Sequence, residues 1–270
     1  MISVKRYILG LISILALASC EKVIDVELDS SDPRVVIEGV VTDIENGSYV
    51  TVKKTVDFEN VGKPELIKNA KVTLSSGGQT WTFESDQDGV YRHDGFTGQI
   101  GSKYTLKVEE GGVTHTASAT MLQRIPIEKI TMEFDEDSNR RGDDDDNWKV
   151  KVKYFDPAGP INYYKFAVWV DGELVEDRIM IRSGKYSDGI NTEYSFWEDL
   201  AEGQKLRVHL YQIEEKTYEY FESISDIYGG GNPLAPGNPD GQFDTDALGY
   251  FATYPVSEKS VTVTDTENRE

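Results

Sequence analysis

The chain has 270 residues, with 48 acidic against 28 basic side chains and a formal charge of −20. A surface of that sign repels phosphate, so nucleic-acid binding and polybasic attachment to anionic lipid are both disfavoured. With one cysteine the chain can close no internal disulfide.

Lys5 and Arg6 precede twelve nearly unbroken apolar residues at 7–18. A helix needs about 20 such residues to cross a bilayer, so the run is too short to span. A basic start, a short apolar middle and small residues before a cut are the parts of a secretory signal, here residues 1–19. Leu17-Ala18-Ser19-Cys20 closes the run and resembles the lipobox of bacterial lipoproteins. Cys20 would then be the first residue of the mature chain and carry a thioether-linked diacylglycerol, with palmitate among its acyl chains. Two or three acyl chains hold a protein stably without any membrane-binding face. The plainer alternative is an ordinary signal peptide cut nearby, with Cys20 a spectator. Residues 20–33 are polar and read as a tether.

From Arg34 the pattern becomes short β runs separated by turn residues: 35–41, 49–56, and Ala70-Lys71-Val72-Thr73-Leu74 with one apolar face. Trp81 and Phe83 alternate in the same way, as do Tyr104, Leu106 and Val108. Glu110-Gly111-Gly112 reads as a hairpin turn into a strand at 113–119. Seven or so short strands without a helical period predict a first β-sandwich over 34–121.

Residues 121–126 read as a connector, and Ile130, Met132 and Phe134 open a second set of strands. Trp148, Val150, Val152 and Tyr154 alternate with Lys149, Lys151 and Lys153, a half-buried strand with lysines toward water. Residues 163–170 run into Asp171-Gly172, a strand entering a tight hairpin. In that strand Tyr163, Lys165 and Trp169 oppose Tyr164, Phe166 and Val168, so one face must be the less buried. Residues 183–200 are turn-rich, and Leu206, Val208 and Leu210 supply another strand. The one helix spans 214–228, with Tyr220, Ile224, Ile227 and Tyr228 on one face and Gly229 to Gly231 as its stop. A loop at 232–246 without periodicity precedes a final β pair at 248–254 and 260–263. Loops of that length are usually functional or disordered. The fold class expected is mainly β: two β-sandwich domains of immunoglobulin-like or prealbumin-like type, the second covering 126–265 with one short helix.

Chemistry is sparse. His93, His115 and His209 each fit a strand, and none stands in a metal-ligand spacing; no nucleophile elbow or phosphate-cradling glycine loop occurs. Asp135, Asp137, Asn139, Asp143 and Asp146 occupy positions 1, 3, 5, 9 and 12 of a twelve-residue loop, the oxygen spacing of a calcium site. Arg140 stands where the sharp turn wants glycine, and Arg141 adds a second cation. A solvated hairpin loop is the competing reading. Among the abundant aromatics, Trp197 beside Phe196 is the ring expected to be exposed. Trp197, Tyr228 and Phe243 mark the candidate surface for a ligand or partner.

Five segments carry a family likeness: Ser19-Cys20-Glu21-Lys22-Val23-Ile24-Asp25-Val26, Val35-Val36-Ile37-Glu38-Gly39-Val40-Val41-Thr42, Ala70-Lys71-Val72-Thr73-Leu74, Asp88-Gly89-Val90-Tyr91, and Ala247-Leu248-Gly249-Tyr250-Phe251 with Tyr254. Together they resemble the domain-of-unknown-function 4249 family of envelope lipoproteins from Bacteroidota-type bacteria. The stretch from Ala70 to Leu106 is also similar to the regulatory β-sandwich appended to carboxypeptidases and TonB-dependent receptors. The resemblance implies a lipid-anchored protein of the bacterial outer membrane, on its periplasmic face or at the cell surface, accessory to TonB-dependent transport. It implies no catalytic residue and no cofactor. A non-enzymatic accessory of a TonB-dependent receptor is the first functional expectation; an independent glycan- or peptide-binding module is the second, and a hydrolase with dispersed carboxylates the third.

Overall fold

Alternation between apolar and polar side chains decides the architecture, because a strand turns successive residues to opposite faces. In the computed structural model, which describes residues 33–55, 64–86, 89–134, 147–176, 178–228, 239 and 241–264, the N-terminal runs form the seven expected strands. They are β1 (Val35–Thr42), β2 (Tyr49–Lys54), β3 (Lys71–Ser76), β4 (Gln79–Ser85), β5 (Val90–Arg92), β6 (Lys103–Glu110) and β7 (Val113–Thr120). Ile37, Val52, Leu74, Leu106 and Val108 are all 0–1% exposed and meet in one core. Burying each such side chain is worth about 1.5–3 kcal/mol, which makes this pattern the main determinant of register.

The remaining elements are β8 (Ile127–Phe134), β9 (Asn147–Phe155), β10 (Tyr163–Val170), β11 (Glu173–Leu174), β12 (Met180–Ser183), β13 (Asn191–Asp199), β14 (Lys205–Ile213), α1 (Glu215–Tyr228), β15 (Leu248–Tyr254) and β16 (Val256–Thr262). The described residues are thus mainly β with one helix. Both expected hairpins carry their turn chemistry: Gly111-Gly112 has φ of 55° and 80°, and Asp171-Gly172 has 50° and 96°. The turn-rich reading of 183–200 is corrected, since β13 pairs with β9 over nine residues. It is an edge strand, so its outer positions stay polar and hide the alternation.

The described strands form three sheets. The first runs β15-β1-β2-β5-β4-β3-β6-β7, with β4 pairing to β3 through Gln79–Phe83 and to β5 through Glu84 and Ser85. Thr253 Oγ1 donates to the Thr120 carbonyl at 2.8 Å, bringing β15 at one end of this sheet against β7 at the other. The second sheet is β11-β10-β14-β16, with β12 also on β10, and the third is β13-β9-β8. Their facing sides enclose a second core around Val152, Tyr164, Phe166, Val168, Leu206 and Leu210.

The expected final β pair is also corrected. β15 leaves the C-terminal sheet altogether and lies parallel to β1, from Val36↔Leu248 to Thr42↔Tyr254, while β16 stays antiparallel to β14. Pro255 separates them, lacking the amide hydrogen a continuing ladder would need. Gly249 makes the parallel approach feasible: its φ is +100°, and a Cβ built there would lie 2.0 Å from the Ile37 carbonyl oxygen. Asp43, at the end of β1, accepts from the Val256 amide at 2.8 Å and from Arg124 Nε at 3.2 Å, tying the connector and the start of β16 to the first sheet. The outward face of β1 and β15 consequently packs on β14 through Val40, Ala252, Tyr254, Tyr211 and Ile213.

Candidate functional site

The parity of β10 positions the site. Tyr164, Phe166 and Val168 are 0–1% exposed and fill the second core, so Tyr163, Lys165, Ala167 and Trp169 point the other way. β14 repeats this beside it, placing Tyr211 opposite Lys165, His209 opposite Ala167 and Arg207 opposite Trp169. Tyr250, Ala252 and Tyr254 share one face of β15, which turns toward the same space. On α1, Thr217, Tyr220 and Phe221 are the buried positions, at the i, i+3, i+4 spacing of one helical face. This shifts the expected buried face of the helix, because Ile227 is exposed.

These surfaces leave a cavity of about 480 Å³ lined by Tyr49, Lys165, Trp169, Tyr211, Phe221 and Tyr254 among others. Its volume and largely apolar, aromatic wall are those of a small-molecule site. Lys165 is the unusual member. Its Nζ lies 5.3 Å from the Phe221 ring centroid, 5.6 Å from Tyr254 and 5.8 Å from Tyr211. Among the described residues neither a hydrogen bond nor an ion pair reaches this amine. Burial alone lowers its pKa from the ordinary lysine value to about 8, so it is still mainly an ammonium at neutral pH.

Cation–π contacts offset only part of that burial. Each ring contributes roughly 0.5–2 kcal/mol, and the observed distances approach the outer limit of about 6 Å. Removing an ammonium from water costs several kcal/mol even after relaxation. Tyr254 adds a second, smaller deficit: it is 6% exposed and its hydroxyl, with that of Tyr250 as a loose neighbour, makes no hydrogen bond of ordinary geometry among the described residues. A fully orphaned group costs about 1–3 kcal/mol. Burial, and then the neighbouring phenols of Tyr250, Tyr49 and Tyr211, raise the Tyr254 pKa well above its ordinary value, keeping it a neutral O–H donor. The cavity therefore presents a cation that lacks an acceptor beside a phenol that is only loosely bonded.

The nearby rim is, in contrast, largely bonded within itself, although the buried Nε of Arg207 lacks a hydrogen-bond partner among the described residues. His209 pairs through Nε2 with Glu258 Oε2 at 2.8 Å and through Nδ1 with the Tyr211 hydroxyl at 2.9 Å. Burial lowers the His209 pKa, partly opposed by the Glu258 hydrogen bond. The Trp169 ring lies 4.2 Å from His209 and carries the Arg207 guanidinium 4.7 Å from its centroid on the same sheet face. Arg178 binds Glu198 and donates to the Trp197 carbonyl at 2.7 Å.

A wider cavity of about 710 Å³ lies beside β7 and the start of α1. Three of its four charged groups are already engaged: Lys216 with Glu214 at 3.3 Å and with the Ser118 carbonyl, and Glu215 with the Tyr163 hydroxyl at 2.6 Å. Asp156, fully buried, accepts from Tyr164 at 2.5 Å, Ser187 at 2.6 Å and Asn162 at 2.7 Å, which fastens the turn before β13. That is a structural role.

Of the residues singled out from sequence, Cys20 and the calcium-spaced Asp135, Asp137, Asn139, Asp143 and Asp146 lie outside the described residues. Trp197 is half-exposed on the edge strand β13. Tyr228 ends α1. Phe243 is 7% exposed and packs in the N-terminal core, so its ring offers no surface to a partner, which corrects its place among the exposed candidates. Trp197 and Phe243 thus do not share one surface. His93 bonds the Thr82 carbonyl at 2.8 Å and the buried His115 bonds Thr245 at 2.6 Å, each within its strand setting. Among the described residues no three His, Cys, Asp or Glu gather where a metal ion could sit, and no helix is long and apolar enough to cross a membrane.

Sequence reasoning placed Lys165 and Trp169 on one face of their strand, without deciding which face is the less buried, and gave them no role. The signal was a lysine on an otherwise aromatic face, and it became meaningful once β15 supplied Tyr250 and Tyr254 from 85 or more residues away. A comparison with curated proteins finds no match. The family model described as domain of unknown function (DUF4249) matches residues 21–260, nearly the whole of the chain, which therefore belongs to that family.

Proposed function

We propose that the protein is a lipid-anchored, non-enzymatic binding protein of the bacterial outer membrane, accessory to TonB-dependent transport, and that it holds its ligand in the Lys165 cavity. The observation that carries the binding role is the Lys165 ammonium, without an acceptor among the described residues, beside the loosely bonded Tyr254 hydroxyl in an aromatic-walled space. Neither group helps the fold as it stands. An apolar residue at 165 would fill the same face without the desolvation penalty, so the amine is better accounted for by something the cavity receives.

The anchoring part rests on the lipobox-like tetrad, whose Cys20 is the only cysteine of the chain. A lipid tether confines the protein to two dimensions and raises its effective concentration near a membrane partner. The transport part rests on the resemblance to regulatory β-sandwiches of TonB-dependent receptors. Ligand capture independent of a receptor is the second reading, and the cavity favours it over a purely architectural role.

Affinity purification of the full-length protein from outer membranes in mild detergent, followed by mass spectrometry, tests the proposal. The expected result is an acylated chain beginning at Cys20 that brings down a TonB-dependent receptor, and Cys20→Ser should release it from the membrane fraction. An unacylated chain starting elsewhere would contradict the anchor. Recovery without any receptor would contradict the accessory role and leave independent capture.

A further inference from the structure

The chemistry of the cavity goes further than its existence. Two donors face it, the Lys165 ammonium and the Tyr254 hydroxyl, from strands β10 and β15 that are distant in sequence. Among the described residues the ammonium has no hydrogen-bonding partner, and the hydroxyl has only the loosely placed Tyr250 hydroxyl, with no bond of ordinary geometry. Most of the remaining wall is rings and branched side chains, among them Tyr49, Trp169 and Phe221 with Val40, Val175 and Ile179; Glu176, Arg178 and His209 are its polar members. A ligand matching this lining carries one compact acceptor with negative charge and an apolar or flat aromatic remainder.

We propose that the cavity binds amphipathic carboxylates, with the carboxylate held by Lys165 Nζ and the Tyr254 hydroxyl and the apolar body packed between the rings of Phe221, Tyr211 and Trp169. The inference rests on the binding role given above and adds the ligand class to it. A carboxylate has two oxygens and accepts from both donors at once, whereas a neutral glycan would leave the ammonium uncompensated. A cationic ligand would meet Lys165 head on. The strongly acidic surface repels anions at long range, so selectivity must come from the cavity itself rather than from steering.

The charged and titratable groups around Lys165 do not substitute for a ligand. Tyr211 and His209 on β14 are bonded to each other, and His209 also to Glu258. Tyr250 and Tyr254 on β15 and Tyr49 on β2 are neutral phenols whose ionisation burial opposes. Arg178 is held by Glu198, and Glu176, the acid of the lining, is not in contact with the amine. A bound carboxylate would therefore be the first anion to meet the amine directly. Its binding should weaken as pH rises through about 8, where Lys165 loses its proton.

Isothermal titration of the full-length chain in a nonionic detergent tests this with 4-phenylbutyrate and octanoate, their uncharged amides, and 4-phenylbutylamine. The expected result is that the carboxylates bind at least tenfold more tightly than the amides at pH 7 and the amine not at all. Lys165→Met should erase that preference while unfolding cooperatively, Lys165→Arg should retain part of it, and Tyr254→Phe should weaken carboxylates severalfold without affecting amides. Equal binding of acids and amides would overturn the ligand class while leaving a binding protein. Binding of none of these compounds at millimolar concentration would overturn the class and the binding role together. A preference that survives Lys165→Met would place the anion elsewhere and equally overturn the proposal.

Discussion

Lys165 Nζ stands 5.3 Å from the centre of the Phe221 ring, and among the described residues no acidic side chain is in contact with it. A cation is thus kept where the fold would be more stable without one. Because burial lowers the Lys165 pKa, the unfolded chain binds the proton more tightly than the folded one between pH 8 and the ordinary lysine value. Stability contributed at this site therefore rises with pH across that window, and the penalty is complete below it. Lys165→Met is expected to stabilise the ligand-free protein at pH 7 by about 1–3 kcal/mol, by analogy with apolar replacement of buried charges. Thermal unfolding at pH 7 and pH 10 checks this, with the variant's advantage shrinking at the higher pH.

Gly249 holds β15 against β1. Any side chain there meets the Ile37 carbonyl and must also adopt a φ of +100°. Gly249→Ala is expected to destabilise by about 2–4 kcal/mol, since both the backbone and the parallel pair must shift. Chemical denaturation should show the loss, and because Tyr250 and Tyr254 ride on the same strand, ligand binding should fall with it.

Asp43 is the second fastening. Its side chain is 5% exposed and joins the Val256 amide to Arg124. Asp43→Ala leaves a buried amide without an acceptor, with an expected loss of about 1–3 kcal/mol. Arg124→Ala, at a half-exposed position, should cost less than about 1 kcal/mol. The difference between the two variants, read in the same denaturation experiment, separates the amide bond from the ion pair.

His209 provides a pH test of the rim. Burial lowers its pKa below the usual 6.5, and the Glu258 hydrogen bond pulls in the opposite direction. The unfolded chain then gains the proton first as pH falls through 6.5, so this residue should destabilise the protein on acidification. NMR titration of the ring should give a midpoint below 6.5 that Glu258→Gln lowers further.

Trp197 is half-exposed on an edge strand, and the Arg178 bond to its carbonyl does not depend on the indole. Trp197→Ala should change stability by less than about 1 kcal/mol. If this edge meets a receptor, the same variant should reduce receptor recovery in the outer-membrane purification, and unchanged recovery would remove Trp197 from the interface.

Much of the fold was legible because burial follows local parity. The seven N-terminal strands, the Lys149-Lys151-Lys153 strand and the two faces of β10 all follow from alternation within eight or nine residues. What escaped was non-local. Nothing between Leu248 and Tyr254 announces a parallel partner more than 200 residues earlier, and Pro255 was the only local sign that the last two strands belong to different sheets. β13 escaped because Glu193, Ser195 and Glu198 occupy an edge where polar residues carry little penalty. The cavity escaped for the same reason as β15: Lys165, Tyr211, Phe221 and Tyr254 lie on four elements, and only their packing makes one lysine uncompensated.

The titration of the Lys165 amine, followed by NMR in the full-length protein with and without 4-phenylbutyrate, tests the central claim most directly. A midpoint near 8 in the free protein that moves upward when the carboxylate binds is the predicted result. A free-protein midpoint at the ordinary lysine value, or one the ligand leaves in place, would mean that this amine is neither buried without a partner nor the group that holds the anion.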